Sequence, residues 1–521
     1  MGSWLNLGQV LTANSVKFSK NIAIKDKTRE LTYRELNARV NKLAHQFYGL
    51  GLKKGDKVAV FLENCIEIVE VFLATAKTGI IIVPINFRLV GVEIEYIVEN
   101  SDAKALIVHD EFAEKVTSIK PNLTNISPSH FISVNMNPNA GGEIEGYQEY
   151  EKFIAAAPTS EPEATVRPED TWILIYTSGT TGKPKGVIRT HESHIAFYLI
   201  NAVEYGFNEQ DVCLNVMPLC HINSVFFSLL FLYIGGTVYV HFAQSFKPEE
   251  ILQIIEREKI TFISLIPTHY NLILSLPQDY RKPDVSSIKK LLCSSAPARK
   301  SIKRAVMDFF PGVELYEAYG STEGGGVTIL KPRDQIQKLG SIGCECLGTD
   351  CIKILDMNRK EVAVGEVGEL FSRGPMLFSE YYKLPEKTAE SFCDGWFSAG
   401  DMVKCDEDGY YTIVDRKDNM IITGGENVYP SEIEEVVSMH PAVFDVAVIA
   451  APDEKWGEKV VAVVVPKDDA KSSLTGVEIQ NFCKDKLAGF KRPKEVVLIE
   501  RDEMPRTATG KILHRILREN L

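Results

Sequence analysis

The ten cysteines form no CxxC pair, and the closest trio, Cys344, Cys346 and Cys351, lacks the matched spacing and the histidines of a zinc site. Free thiols of this kind belong to a reducing compartment, so the cytoplasm is expected. No leader is expected either: residues 1–6 have neither a basic region nor an apolar core, and Asn6 stands where a myristoylation motif wants Ser or Thr. No apolar run reaches the roughly 20 residues of a membrane span. The most apolar stretch, 225–240, is broken by Ser228, Gly235, Gly236 and Thr237, and reads as a core helix, a Gly-Gly turn and a core strand. There is no basic excess. Lys and Arg total 58 against 70 Asp and Glu, a net charge of −12, which argues against nucleic acid or an anionic membrane as partner. A local basic pocket for a phosphate ligand remains open. With 45% apolar and 25% charged residues, disorder, collagen and a disulfide scaffold are excluded. Internal repeats and low-complexity tracts are lacking too.

What is present fits three or four folding units at about 150 residues each. Thr32-Tyr33-Arg34-Glu35 is a capping box that opens a helix with Leu36, Val40, Leu43 and Phe47 on one face. Strand, helix, strand, helix and strand then follow near 57–62, 66–77, 80–85, 92–99 and 105–109, a rhythm that predicts a parallel sheet with helices on both faces. Residues 135–170 lack periodicity and read as a surface excursion, and strands resume at 172–176, 237–241, 262–266 and 290–293. Near residue 416 the units shorten. Ser431 and Thr475 are expected to cap helices, and strands are expected at 442–450, 459–465 and 495–499, beyond a polar hinge at 415–419. The expected fold is α/β: a large body of stacked α/β subdomains with mixed sheets over 1–416, and a small mobile α+β domain over 417–521.

The sharpest motif follows the strand at 172–176: Tyr176-Thr177-Ser178-Gly179-Thr180-Thr181-Gly182-Lys183-Pro184-Lys185-Gly186. Glycines let backbone N–H groups turn towards an anion, hydroxyls add donors and two lysines add charge, which makes a phosphate cradle. It is not a Walker A loop, because Pro184 follows Gly182-Lys183 where Ser or Thr is required.

This loop resembles that of the AMP-forming adenylating enzymes: acyl-CoA synthetases, luciferase and peptide-synthetase adenylation domains. Further motifs of that superfamily follow in order over nearly the whole chain. They are Pro218-Leu219-Cys220-His221, Ser294-Ser295-Ala296-Pro297, Tyr319-Gly320-Ser321-Thr322-Glu323, Gly400-Asp401, Asp415-Arg416-Lys417-Asp418, Gly424-Gly425-Glu426-Asn427 and Pro505-Arg506-Thr507-Ala508-Thr509-Gly510-Lys511. The resemblance implies an acid–thiol ligase that uses ATP, Mg²⁺ and coenzyme A. A carboxylate attacks the α-phosphate, pyrophosphate leaves, and the acyl group then passes to the thiol with release of AMP. Such chemistry rests on positioning and electrostatics.

By the same resemblance, the loop from Thr177 to Lys185 would hold the β- and γ-phosphates. Glu323 would be the Mg²⁺ carboxylate, and Thr322 would contact the α-phosphate. Tyr319 would stack on adenine, with Ser295, Ala296 and Pro297 along its edge and Gly320 and Ser321 beside it. Asp401 would accept the ribose hydroxyls, helped by Arg416. Lys511 would bridge carboxylate and α-phosphate, and His221 would shield the carboxylate rather than act as a base. Asp418 resembles the pivot of a domain rotation between the half-reactions. Gly424, Gly425, Asn427, Trp456, Phe490 and Arg492, with Lys491 and Lys494, would meet coenzyme A. There are departures: Ala399 replaces the usual Thr before Gly400-Asp401, Thr509 stands where Ser is frequent, and Glu380 replaces Gly in a segment that reads as surface.

Candidates for the acyl pocket are His221, Ile222, Asn223, Phe226, Phe227, Gly324, Gly325, Gly326 and Val327. None is Asp, Glu, Lys or Arg, so an uncharged medium-chain, cyclic or aryl acid is expected first and a fatty acid next. A carnitine-type acid, caged in part by Phe226 and Phe227, is an alternative. So are a stand-alone protein that loads a carrier and a non-enzymatic nucleotide-binding regulator. The partners expected are the acid, ATP and coenzyme A, with a homodimer allowed for.

Overall fold

The computed structural model describes residues 6–135, 143–177, 183–243, 245–294, 298, 300–424, 426–506 and 512–520. The chain divides into two compact units. One comprises Met1–Leu339, Glu345–Cys351 and Arg373–Phe397, and the other Gly340–Cys344, Ile352–Ser372 and Ser398–Leu521.

The first unit is built on two sheets. In the eight-stranded one, Gln148–Glu149, Phe131–Val134, Ala103–His109, Lys57–Phe61, Ile81–Pro84 and Thr171–Thr177 run parallel. Lys185–Thr190 and Glu380–Tyr381 then close the edge antiparallel. The other sheet contains the parallel strands Ile22–Lys25, Thr237–Val240, Val212–Asn215, Phe262–Leu265, Lys290–Cys293 and Glu314–Ser321, with Glu30–Thr32 and Gly325–Leu330 antiparallel at their flanks.

Strand period decides which residues meet which core. Val58 and Val60 join an apolar cluster shared with Val238 and Phe262 of the other sheet and with helices Ile66–Thr78, His191–Tyr205 and Ile222–Ile234. Ala59 and Phe61 point the other way, onto helices Gly91–Asn100 and Ala113–Ile119. Leu214, Ile263 and Leu291 likewise pack under helices Pro248–Glu258, Pro267–Leu274 and Lys300–Phe309. Helices thus cover both faces of each sheet, which is why the strands read as nearly unbroken apolar runs.

The capping box at Thr32 and Glu35 is formed, and stretch 225–240 is a helix ended by Gly235 at φ 93° and followed by a strand. Residues 135–170 hold more structure than expected: Gln148–Glu149 is an edge strand and Tyr150–Ala155 a helix that buries Tyr150, Phe153 and Ile154.

In the second unit, Lys353–Leu355, Gly368–Phe371, Asp401–Cys405 and Tyr411–Arg416 form an antiparallel sheet. Ile421–Thr423, Glu426–Val428, Val443–Asp453, Gly457–Pro466 and Glu495–Leu498 form another, under helices Pro430–Ser438 and Gly476–Cys483. Thr475 caps its helix as expected. Ser431 does not: Pro430 takes the first helical position, and the Ser431 hydroxyl donates to the Val414 carbonyl instead. Among the described residues, no helix is long and apolar enough to cross a membrane.

Candidate functional site

Thr177 and Lys185 face each other at the ends of the antiparallel hairpin Thr171–Thr177 and Lys185–Thr190, so the segment expected to cradle phosphate starts and returns at one place. Ser178 to Gly182 lie outside the described residues, as do Ser295, Ala296, Pro297, Gly425 and Lys511. Lys183 is exposed, with its ammonium 5.5 Å from the centre of the Tyr96 ring.

Two side chains of the returning strand bear on the segment carrying Thr322 and Glu323, Lys185 by way of Tyr381 and Arg189 directly. The Lys185 ammonium lies 4.4 Å from the centre of the Tyr381 ring, and the Tyr381 hydroxyl donates to Glu323 Oε1 at 2.8 Å. Four positions on, and so on the same face of the strand, Arg189 is wholly buried. Its guanidinium donates to the carbonyls of Thr322 at 2.9 Å, Glu323 at 3.4 Å and Met376 at 2.6 Å. Burial pulls Arg189 down to about 9, and the charges of Tyr198 and Glu323 work against that. The Phe378 N–H donates to the Glu323 carbonyl as well, at 2.8 Å. Neither Arg189 nor Tyr381 was expected from sequence. Glu380 is exposed as read, but its neighbour Tyr381 is buried and belongs to the site.

Tyr319, Gly320 and Ser321 end the strand Glu314–Ser321, which folds back on Gly325–Leu330. A side chain at Gly320 would run into the Gly325 carbonyl, and Gly325 itself sits at φ +70° with a methyl-sized gap closed by Met376. These two glycines are therefore needed for the turn. The Ser321 hydroxyl accepts the Gly324 N–H at 2.8 Å and fixes its start. Gly326 differs, because a Cβ there meets Phe197, Cys346 and Met376 at an ordinary 3.7 Å.

His221 precedes the first turn of helix Ile222–Ile234, held by its N–H to the Pro218 carbonyl at 3.0 Å. The loop before it is organised by Asn64, whose amide bonds the carbonyls of Val216, Met217 and His241 and accepts the Leu219 N–H. Burial lowers His221 to about 4, with Arg88 adding to the shift, so the imidazole is neutral at pH 7. Ile222 and Asn223 are partly exposed, and Asn223 bridges the hydroxyls of Ser264 and Ser294 at 3.0 Å each. Phe226 stacks on Phe197 at 3.8 Å and 7°, and the Arg189 guanidinium lies 4.9 Å from its centre. Phe227 is embedded among Phe197, Tyr205 and Phe262.

In the second unit, Asp401 is buried and pairs with Arg416 across the strands at 2.6 Å. Arg416 also donates to the Ala399 carbonyl at 2.7 Å. Asp415 ties the following turn together: it accepts the N–H of Arg416, the Asn419 amide and the N–H of Ser431. Asp418 is exposed in that turn, with Arg518 donating to its carbonyl at 3.2 Å. Gly424, at φ +59°, donates to the Trp456 carbonyl at 2.8 Å, and any side chain there would strike the Trp456 ring. Asn427, Trp456 and Phe490 are exposed. The basic cluster has internal partners: Lys491 pairs with Glu432, Arg492 donates to the Leu487 carbonyl at 2.8 Å, and Lys494 to that of Gly489 at 3.3 Å.

Among the described residues, no three His, Cys, Asp or Glu side chains gather as a metal cage. Glu323 fits Mg²⁺ all the same. It is half-buried and oriented by Tyr381, and Mg²⁺ takes one or two carboxylates beside phosphate oxygens and water.

The chain matches the AMP-binding enzyme family over residues 11–382 and the AMP-binding enzyme C-terminal domain over 432–511. It is 35% identical over 486 residues to a feruloyl-CoA synthase of an Amycolatopsis species, covering 93% of this chain and 92% of that one. It is 33% identical over 491 residues to the long-chain-fatty-acid–CoA ligase FadD13 of Mycobacterium tuberculosis, covering 94% and 93%. A solved anthranilate CoA ligase, AuaEII, in complex with anthranoyl-AMP superimposes with a TM-score of 0.87 at 28% identity, covering 99% and 97%.

Proposed function

The chain belongs to the AMP-binding enzyme family and is an AMP-forming carboxylate–CoA ligase that uses ATP, Mg²⁺ and coenzyme A; from that premise we propose that its acid is an aryl or cyclic carboxylate with an uncharged body. The observation that carries this reading is the apolar surround of the pocket candidates. Gly326 looks onto Phe197, Cys346 and Met376, none of them charged. Such a lining suits a body without charge. The relatives named for ferulate and anthranilate support it. The FadD13 relative supports a second reading, a fatty acid. A carnitine-type acid falls behind both. Phe226 already has Phe197 stacked on it and Arg189 near its centre, so it is not free to cage a quaternary ammonium.

In this reading the carboxylate attacks the α-phosphorus and pyrophosphate leaves. Thr177, Lys183 and Lys185 hold the phosphates together with Ser178, Gly179, Thr180, Thr181 and Gly182. Glu323 would hold Mg²⁺, which would offset the charge of the leaving group. Thr322 contacts the α-phosphate, Tyr319 the adenine and Asp401 the ribose. Neutral His221 excludes water. Lys511 supplies the bridging charge for adenylation. Gly424, Asn427, Trp456, Phe490 and Arg492 serve the coenzyme A step, and Asp418 is the pivot between the two. The ten cysteines, all unpaired, favour a reducing compartment such as the cytoplasm.

A pyrophosphate-release screen over hydroxycinnamates, benzoates, cyclic acids and fatty acids, with and without coenzyme A, tests the reading. Aryl or cyclic acids should exceed long-chain acids in kcat/KM by at least about tenfold, a margin that pocket shape can supply. A reversed order overturns the substrate. Pyrophosphate release that coenzyme A does not raise would count against coenzyme A as the acceptor.

A further inference from the structure

Arg189 is a buried cation in an unusual position. Its guanidinium makes no ion pair among the described residues. Two of its nitrogens are spent on main-chain carbonyls, and Nε has no hydrogen-bond partner. Burying a guanidinium without a carboxylate is costly, and the carbonyls return only part of that cost. A leucine would fill the same space in a strand whose neighbours Val187 and Ile188 are apolar. What the arginine adds is a planar fork that holds three carbonyls at once. Those carbonyls belong to Thr322, Glu323 and Met376, two of them the residues read as contacts for the α-phosphate and Mg²⁺. On its other side the guanidinium lies against Phe226, a candidate wall of the acyl pocket.

We propose that Arg189 is a positioning residue for adenylation, setting the Thr322–Glu323 segment from behind and linking it to Phe226 of the acyl pocket. The proposal rests on the reading of Thr322 and Glu323 as nucleotide-site residues. Lys185 and Arg189 then divide the work along one strand. Lys185 acts on the Glu323 side chain through Tyr381, and Arg189 acts on the main chain of the same residue. A lysine at position 189 keeps the charge but is a point donor that cannot hold three carbonyls in one plane.

The test measures ATP binding to the full chain by titration calorimetry, with and without Mg²⁺, for wild type, Arg189→Lys and Arg189→Met. The Mg²⁺-dependent gain in ATP affinity should shrink about tenfold in R189K, because the Glu323 carboxylate moves with the Thr322–Glu323 segment, while affinity without Mg²⁺ should fall less than about threefold, since the other phosphate contacts stay in place. Pyrophosphate release should fall about 100-fold, the loss expected when one preorganised element is misplaced, and thioester formation from supplied acyl-adenylate should change less than about threefold. Should R189M fail to fold, R189K with an unchanged circular-dichroism spectrum decides. An unaltered Mg²⁺ gain in R189K overturns the proposal, and so does an equal loss in both half-reactions. If wild type binds ATP with no Mg²⁺ gain at all, the assignment of Glu323 itself fails, and the proposal with it.

Discussion

The Tyr381 hydroxyl donates to Glu323 Oε1 at 2.8 Å, while the Lys185 ammonium lies 4.4 Å from the centre of the same ring. One tyrosine thus orients the candidate Mg²⁺ carboxylate and tethers a lysine at the end of the phosphate loop. Tyr381→Phe separates these tasks, since it removes the hydrogen bond and keeps the ring. A hydrogen bond to a charged group is worth about 1.5–3 kcal/mol, so the half-saturating Mg²⁺ concentration for pyrophosphate release should rise about tenfold. Tyr381→Ala should also raise the KM for ATP. Identical Mg²⁺ titrations for wild type and Y381F would show that Glu323 needs no such orientation.

Asn223 ties the strand Phe262–Leu265 to the residue that follows strand Lys290–Cys293, bonding Ser264 through its carbonyl and Ser294 through its amide. Ser294 leads directly into Ser295-Ala296-Pro297. Ser264→Ala leaves the Asn223 carbonyl without that donor and should destabilise the chain by about 1–3 kcal/mol. Because the helix bearing the acyl candidates is tied here to the residue before the proposed adenine segment, the KM values for acid and ATP should rise together. A rise confined to the acid would break the link.

The sheets were legible where strands are buried on both faces, since short apolar runs such as 57–62 and 290–293 suit parallel strands covered by helices on either side. The sheet of Lys353–Leu355, Gly368–Phe371, Asp401–Cys405 and Tyr411–Arg416 was not, because its strands are short and mix polar with apolar residues. Ser431 misled because S-x-x-E is a capping signal only when the serine precedes the helix, and Pro430 starts it one residue earlier. Arg189 left no motif. Its partners are main-chain carbonyls 133 to 187 residues away, and a carbonyl has no side-chain identity to read. The only trace was an arginine inside an apolar strand, in phase with Lys185.

Asp401 serves two partners if it also accepts the ribose, because Arg416 already holds it at 2.6 Å. Removing one member of a buried pair strands the other, at about 3–5 kcal/mol for full burial and less here, since Arg416 is 39% exposed. Asp401→Asn should lower both the melting temperature and ATP affinity, the latter at least about tenfold. Arg416→Met should lower the melting temperature while weakening ATP less. Equal loss of ATP affinity in both variants would make Arg416 a direct ligand.

Burial holds His109 and His191 at about 3 and His221 and His269 at about 4, against an ordinary 6.5. Their folded-state values are depressed, so the unfolded chain binds more protons between about pH 4 and 6.5. The stability they contribute is complete above 6.5 and is lost as the pH falls below it. Glu63 acts in the opposite sense. Burial, aided by the charge of Glu111, raises it to about 7, so the stability of its protonated form is full below 4.5 and is lost as the pH rises through 7. Urea midpoints should therefore fall between pH 6.5 and 5, and His109→Gln should flatten that limb without touching the pyrophosphate-release profile. His221→Phe separates stability from chemistry. A ring that is neutral throughout the working range acts by shape, so H221F should keep activity within about tenfold and leave the pH–rate profile above pH 6 unchanged. A rate limb that disappears in H221F would establish a proton-transfer role for the imidazole.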